Sequence, residues 1–295
     1  MSLWALIIFK YVCLDNNNMV KFGITSWNWV YPFDPSVIPH VKEIGFDGIE
    51  IPVEDPELIN VRQIKETLKS HCIACSSICA VMSSERDPTS PDMMIRENAL
   101  KYLRFCVDLA YELDCDIVVG PIYAAVGKCI FEDKELAWKT SVNLVKELAK
   151  YALDKGVKLG IEPLNRYETS MINLVSTALK YIEDVNYPNV GIHFDTYHAN
   201  IEEKSFERAI KIAGKLLLHV HACENDRGTP GTGHIPWNEV AKALKDIRYD
   251  RWLVIETFQP GIKEIAVAAS IWRPLEKDQR TLASEGLKFL KSLFR

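Results

Sequence analysis

A chain of 295 residues fits one large domain or two small ones, and 48% hydrophobic with 25% charged residues gives it enough apolar mass for a large core, excluding a disordered protein. The formal net charge of -5 argues against nucleic acid as the main partner, because affinity for a phosphate backbone comes from clustered Lys and Arg. Eight scattered cysteines without a cleavable signal read as reduced thiols in a cytoplasmic enzyme, with no disulfide expected.

In chain order, Leu3–Leu14 is mostly apolar but too short to span a bilayer, and it lacks the basic start and small-residue cleavage site of a secretory signal. Met19 is expected to be the natural start. Residues 1–18 then form an upstream extension that is not native, with a weak membrane or partner anchor as the alternative. From residue 19 to 295, short apolar runs alternate with longer amphipathic stretches, the pattern of repeated βα units around a parallel sheet. The runs are Lys21–Thr25, Gly48–Val53, Ile73–Val81, Asp116–Pro121, Lys158–Pro163, Val190–Asp195, Lys215–Ala222 and Trp252–Phe258. Each is apolar on both faces, as strands inside a ring of helices should be. Asp34-Pro35 offers a helix cap with Pro at the first helical position, Lys155-Gly156 ends a long helix, and Pro236-Trp237-Asn238-Glu239 opens one running to Ile247. Eight strands and about eight helices with no linker predict a single-domain (β/α)₈ barrel.

Within this pattern, Cys72-x-x-Cys75-x-x-x-Cys79 falls on an expected buried strand. Residues three apart there face opposite ways, so small buried hydrophobes are expected rather than a metal or redox motif. The longest irregular piece is Glu224–Ile235, a candidate wall of an active site. Its Gly228–Gly233 stretch fits neither the P-loop nor the dinucleotide-binding spacing.

Catalytic groups in such a barrel sit where the strands end. Four consecutive runs close on Gly160-Ile161-Glu162-Pro163, His193-Phe194-Asp195, His219-Val220-His221 and Val254-Ile255-Glu256. Three carboxylates brought together repel and raise one another's pKa unless a cation sits among them, so Glu162, Asp195, His221 and Glu256 are expected to bind one divalent metal. Oxygen donors, a single imidazole and no thiolate favour Mn²⁺, Mg²⁺ or Co²⁺ over structural Zn²⁺. Asn165, Arg166, Glu168, His198 and Arg227 lie at the same rim, placed to hold a polar substrate through charge-assisted hydrogen bonds rather than to bind the metal. Trp27, Trp29, Tyr123 and Phe258 are expected to wall the site, with core packing an equal prospect for Phe258. His193 and His219, two positions before proposed ligands, are expected to pack or support.

These stretches resemble the ketose 3-epimerases, the D-tagatose and D-psicose 3-epimerase group within the xylose isomerase-like barrels. The resemblance is carried by Ile161–Glu168, Asp195–Glu203, His219-Val220-His221, Asn225-Asp226-Arg227, Pro230–His234 and Trp272-Arg273, and extends over nearly all the barrel from Met19. It implies that the four rim residues bind Mn²⁺ or a similar ion, that Glu162 and Glu256 double as acid and base, and that Glu168, His198 and Arg227 contact the hydroxyl end of a ketose. It further implies a homodimer or homotetramer acting on a free sugar. Ser76–Ser84 and Gly120–Ala125 depart from the substrate-side loops of the best-known members, leaving the sugar open. Four rivals remain. They are an aldose–ketose isomerase with a similar metal, a sugar-derivative dehydratase, a zinc-dependent barrel nuclease, disfavoured by only seven His and no basic face, and a non-catalytic sugar binder.

Overall fold

A computed structural model describes residues 20–130 and 132–294; the expectation for residues 1–18 lies outside them. The eight runs become eight strands: β1 (Lys21–Thr25), β2 (Gly48–Val53), β3 (Ala74–Ala80), β4 (Ile117–Val119), β5 (Lys158–Ile161), β6 (Val190–Asp195), β7 (Leu217–His221) and β8 (Trp252–Ile255). All pair in parallel and in chain order, and β8 pairs back to β1, closing the barrel. Strands buried on both faces explain the continuous Ile, Val and Leu runs.

Ten α-helices are described. They are α1 (Ile38–Ile44), α2 (Val61–His71), α3 (Met93–Glu112), α4 (Lys134–Asp154), α5 (Val175–Val185), α6 (Thr196–Glu202), α7 (Phe206–Ala213), α8 (Trp237–Asp246), α9 (Lys263–Ala268) and α10 (Gln279–Leu293). The two beyond the expected eight, α6 and α9, follow β6 and β8, so they lie on the catalytic side of the barrel. None is long and apolar enough to cross a membrane. Local chemistry starts them: Asp34, Asn60, Asp92, Ser205 and Asp278 each accept a backbone N–H at the opening of a helical segment.

Cys72 is not in a strand. It closes α2 in a left-handed conformation (φ 50°) and is exposed, while Cys75 and Cys79 are buried in β3. The seven described cysteines are all free. Inside the barrel the strands approach closely at Gly191 on β6, where an added Cβ would lie 2.4 Å from the Leu216 carbonyl oxygen and 2.6 Å from Leu218 Cγ. Gly191→Ala is therefore expected to cost about 1–3 kcal/mol through overpacking. A lower denaturant midpoint at unchanged slope would show it.

Candidate active site

The four rim residues converge. Glu162 and Glu256 each follow the last residue of their strands, Ile161 and Ile255, whereas Asp195 and His221 end β6 and β7 and are paired in register. That register depends on a shift between Ile192 and His193, a bulge that sets His193 opposite His219. His221 Nδ1 lies 3.9 Å from Glu162 Oε1, 3.7 Å from Asp195 Oδ2 and 3.4 Å from Glu256 Oε1. All four side chains are buried, and Nδ1 has no hydrogen-bond partner among the described residues.

Charge pushes the three carboxylates apart. Burial pushes the Glu162 carboxyl well above its ordinary value, and Glu256 and Asp195 add to this against the pull of His221. Burial likewise lifts Glu256 from 4.5 to about 7, although Arg227 and His221 act to lower it. For Asp195, burial is overcome by Arg227, His198 and His221, which hold it well below the usual carboxylate range. The set therefore contains one carboxylate held low and two held above their ordinary value, the division that acid–base catalysis uses.

These donors fit a divalent cation. Three oxygens and an imidazole nitrogen with nothing to bond to converge on one buried point, and two overlapping groups, Glu162–Asp195–His221 and Asp195–Cys223–Glu256, have ligand atoms within 4.8 Å of one another. Cys223 is an addition to the expected donor set. Its Sγ lies 3.3 Å from Asp195 Oδ2 and 3.5 Å from Glu256 Oε2. Burial, then Asp195 and Glu256, push this thiol up, so it stays protonated and donates to the carboxylates rather than adding a thiolate.

Three of the expected sugar-gripping residues share this mouth. Arg227, on the loop after β7, has φ 66° and places Nη1 on Glu256 Oε2 and 3.2 Å from Asp195 Oδ2. Its guanidinium carbon sits 4.0 Å from the Tyr197 ring centre and 5.0 Å from that of Phe258. His198 accepts the Asn165 N–H at Nδ1 (3.0 Å), leaving Nε2 as the hydrogen-bearing nitrogen, 4.0 Å from Glu162 Oε1. Burial holds its pKa down at about 4, so the ring is a neutral donor. Glu168 is half-buried and tied to Asn165 Nδ2 at 2.8 Å.

The aromatic wall is narrower than expected. Phe258 packs with Ile265 and Ile271 and faces Arg227. Trp27 stacks on Phe258 (centroids 5.4 Å apart) and gives its indole N–H to Glu54, so it backs the wall. Trp29 is half-buried and packs against the core. Tyr123 lies deeper than Trp27, Trp29 and Phe258. It is fully buried against Tyr181, its hydroxyl reaching the Ile172 carbonyl, because the chain after β4 turns inward under α4 and α5. Its ring packs behind the site.

A carboxylate fixes the Glu224–Ile235 loop. Fully buried Glu224 accepts from the backbone N–H groups of Asn225, Gly231 and Ile235 and from the Trp237 indole. Glu224→Ala would strand four donors and is expected to cost roughly 2–5 kcal/mol. It should also open the loop to protease and raise KM as Arg227 loses its place; resistance to proteolysis equal to the wild type would contradict this.

The match to the xylose isomerase-like TIM barrel family model runs over residues 38–293. The ketose 3-epimerase of Arthrobacter globiformis is 33% identical over 278 residues, covering 92% of this chain and 96% of that protein. The chain belongs to the ketose 3-epimerases. It is thus an isomerase of the epimerase class. Among solved structures, the D-allulose 3-epimerase from Methylomonas sp. in complex with D-allulose superposes with a TM-score of 0.89 at 32% identity, covering 94% of this chain and 98% of that one. The D-psicose 3-epimerase from Clostridium cellulolyticum H10 with D-tagatose gives 0.88 at 31%, with coverage of 94% and 100%.

Beneath the strand ends, this ketose 3-epimerase holds further polar groups; the sequence reading named His193 and His219 as packing or supporting residues and did not single out Glu50 or Ser77. Glu50, Ser77, His193 and His219 are fully buried beneath the mouth. For Glu50 there was a signal: a carboxylate in the middle of the apolar run Gly48–Val53 cannot be buried without a partner.

Proposed function

We propose that this ketose 3-epimerase inverts C3 of a free ketose by removing the proton beside the carbonyl and returning one to the opposite face. Glu162, Asp195, His221 and Glu256 would hold one divalent ion, Mn²⁺ ahead of Co²⁺ or Mg²⁺. When bound, that ion would supply Lewis-acid stabilisation of the negative charge that develops on the sugar's oxygens.

The reading is carried by one observation. The two carboxyls that burial raises above their ordinary value, Glu162 and Glu256, stand at the ends of non-adjacent strands with Asp195 and His221 between them. A base and an acid on opposite sides of C3 is what inversion requires, and the placement of these two carboxyls supplies that pair. His198 offers Nε2–H to a sugar oxygen, and Arg227 holds Glu256 and Asp195 in place while its ring-stacked plane positions the chain of hydroxyls.

The glycine-rich loop supports an unphosphorylated substrate. Gly228 and Gly231 spend their N–H groups on Asp226 and Glu224, and acidic acceptors are the reverse of an anion cradle. The relatives seen with D-allulose and D-tagatose support a free ketose of that kind. The test is a panel of free ketoses with Mn²⁺ in deuterated water. Label at C3 of both epimers is expected. Label at C1 or C2 with aldose formed would replace the proposal with isomerisation.

A further inference from the structure

Below the carboxylates, β2 contributes a side chain to a strand it does not neighbour. Glu50 and His221 stand on β2 and β7, which are not paired in the barrel, yet Glu50 Oε2 lies 2.8 Å from His221 Nε2. The contact therefore crosses the barrel interior. It is made possible by the register shift between β2 and β3 after Ile49, which sets Glu50 opposite Ser77. Ser77 Oγ donates to the same Oε2 at 2.7 Å, and His219 Nε2 comes within 3.4 Å of it. His193 closes the cluster, its ring centre 4.1 Å from that of His221.

We propose that Glu50 is the positioning residue for the metal-ligating imidazole. By accepting the Nε2 proton, it fixes the tautomer of His221, turns the unpartnered Nδ1 lone pair toward Glu162, Asp195 and Glu256, and makes that nitrogen a stronger donor. A buried carboxylate is expensive, and its second oxygen, Oε1, has no hydrogen-bond partner among the described residues. Packing alone would be met by an apolar side chain on β2. Bonds from Ser77 and His221 to one oxygen point instead to a built orientation device. The inference rests on the metal reading above, and its experiment separates the two.

Mn²⁺ affinity of the full chain is measured by titration of the free-ion paramagnetic resonance signal in the wild type, Asp195→Asn, Glu50→Gln and Ser77→Ala. Wild-type binding of one ion that Asp195→Asn abolishes establishes the site. Glu50→Gln should then weaken Mn²⁺ by about 10–100-fold, and Ser77→Ala by a smaller factor in the same direction. At saturating Mn²⁺ the KM for the ketose should stay within about twofold of wild type, a split that general loosening of the barrel would not give. Wild-type affinity in Glu50→Gln overturns the proposal while leaving the metal site standing; absence of wild-type binding overturns both. Should Glu50→Gln fail to fold by circular dichroism, unchanged affinity in Ser77→Ala overturns it instead.

Discussion

Glu162→Gln and Glu256→Gln are each expected to lower kcat by roughly 10³-fold or more while the barrel stays folded, since each removes a proton carrier and a cation ligand together. The loss should differ in kind between the two. With one base on each side of C3, either variant keeps a single base. It should still exchange the C3 proton of one epimer with deuterated water and fail to exchange that of the other. The two variants should be mirror images in this respect. Loss of exchange with both epimers in both variants would mean the carboxylates act only as ligands. Stability should move the opposite way from activity. A carboxyl lifted from 4.5 to about 7 by folding favours the native state below pH 4.5, and that advantage is lost as the pH rises through 7. Above pH 7 the charged form is penalised by its surroundings. A neutral Gln escapes the penalty, so melting in EDTA at pH 8 should be no lower for Glu256→Gln than for the wild type. A large drop there would mean that the carboxylate is held by contacts beyond those described.

The residues that the sequence revealed and those it hid differ in a physical way. Asp195 ends a strand whose apolar run stops where the strand pairing stops, so β6 has the expected bounds, whereas the run holding His221 continues one residue past the end of β7, to Ala222. β4, β5 and β8 are shorter than their apolar runs, because Pro121, Pro163 and Phe258 are buried by the loops and helices that follow, not by strand pairing. Hydrophobicity records burial and is blind to which neighbour provides it. The full burial of Tyr123 was not legible for the same reason: a strand-end position says nothing of whether the next loop turns outward or folds back beneath a helix. Lys215 and Leu216 fall in a 3₁₀ turn before β7, a boundary that short apolar runs do not mark. Glu50 carried a signal as a carboxylate within an apolar run, but its partner was hidden, 171 residues away across the barrel and reached through a bulge that no periodicity announces.

Removing the divalent ion should erase activity and a measurable part of the stability. A ligand that binds only the folded chain stabilises it by about 2.7 kcal/mol at one hundred times its Kd. For a chain near this size, where each kcal/mol moves Tm by about 2–4 °C, melting should rise by roughly 5–10 °C from EDTA to saturating Mn²⁺. The size of that rise should depend on pH. Among themselves the side chains take up protons where the ion would sit: Glu256 below about 7, and Glu162 with a pKa raised well above its ordinary value. For His221, burial alone would depress the pKa, but Glu50 and Glu256 overcome it and hold the ring protonated above its usual range. Each of these protons must leave before its atom can bind a cation, so binding releases protons and weakens as they become harder to displace. Apparent Mn²⁺ affinity should therefore fall as the pH drops from 8 to 6, by up to about tenfold per pH unit for each proton released. The Mn²⁺-induced rise in Tm should shrink in step. Asp195, ionised throughout this range, contributes nothing to the slope, and Asp195→Asn should remove the ion without a pH-dependent remnant. An affinity flat between pH 6 and 8 would show that the ion binds away from Glu162, His221 and Glu256, and would move the metal site off the mouth of the barrel.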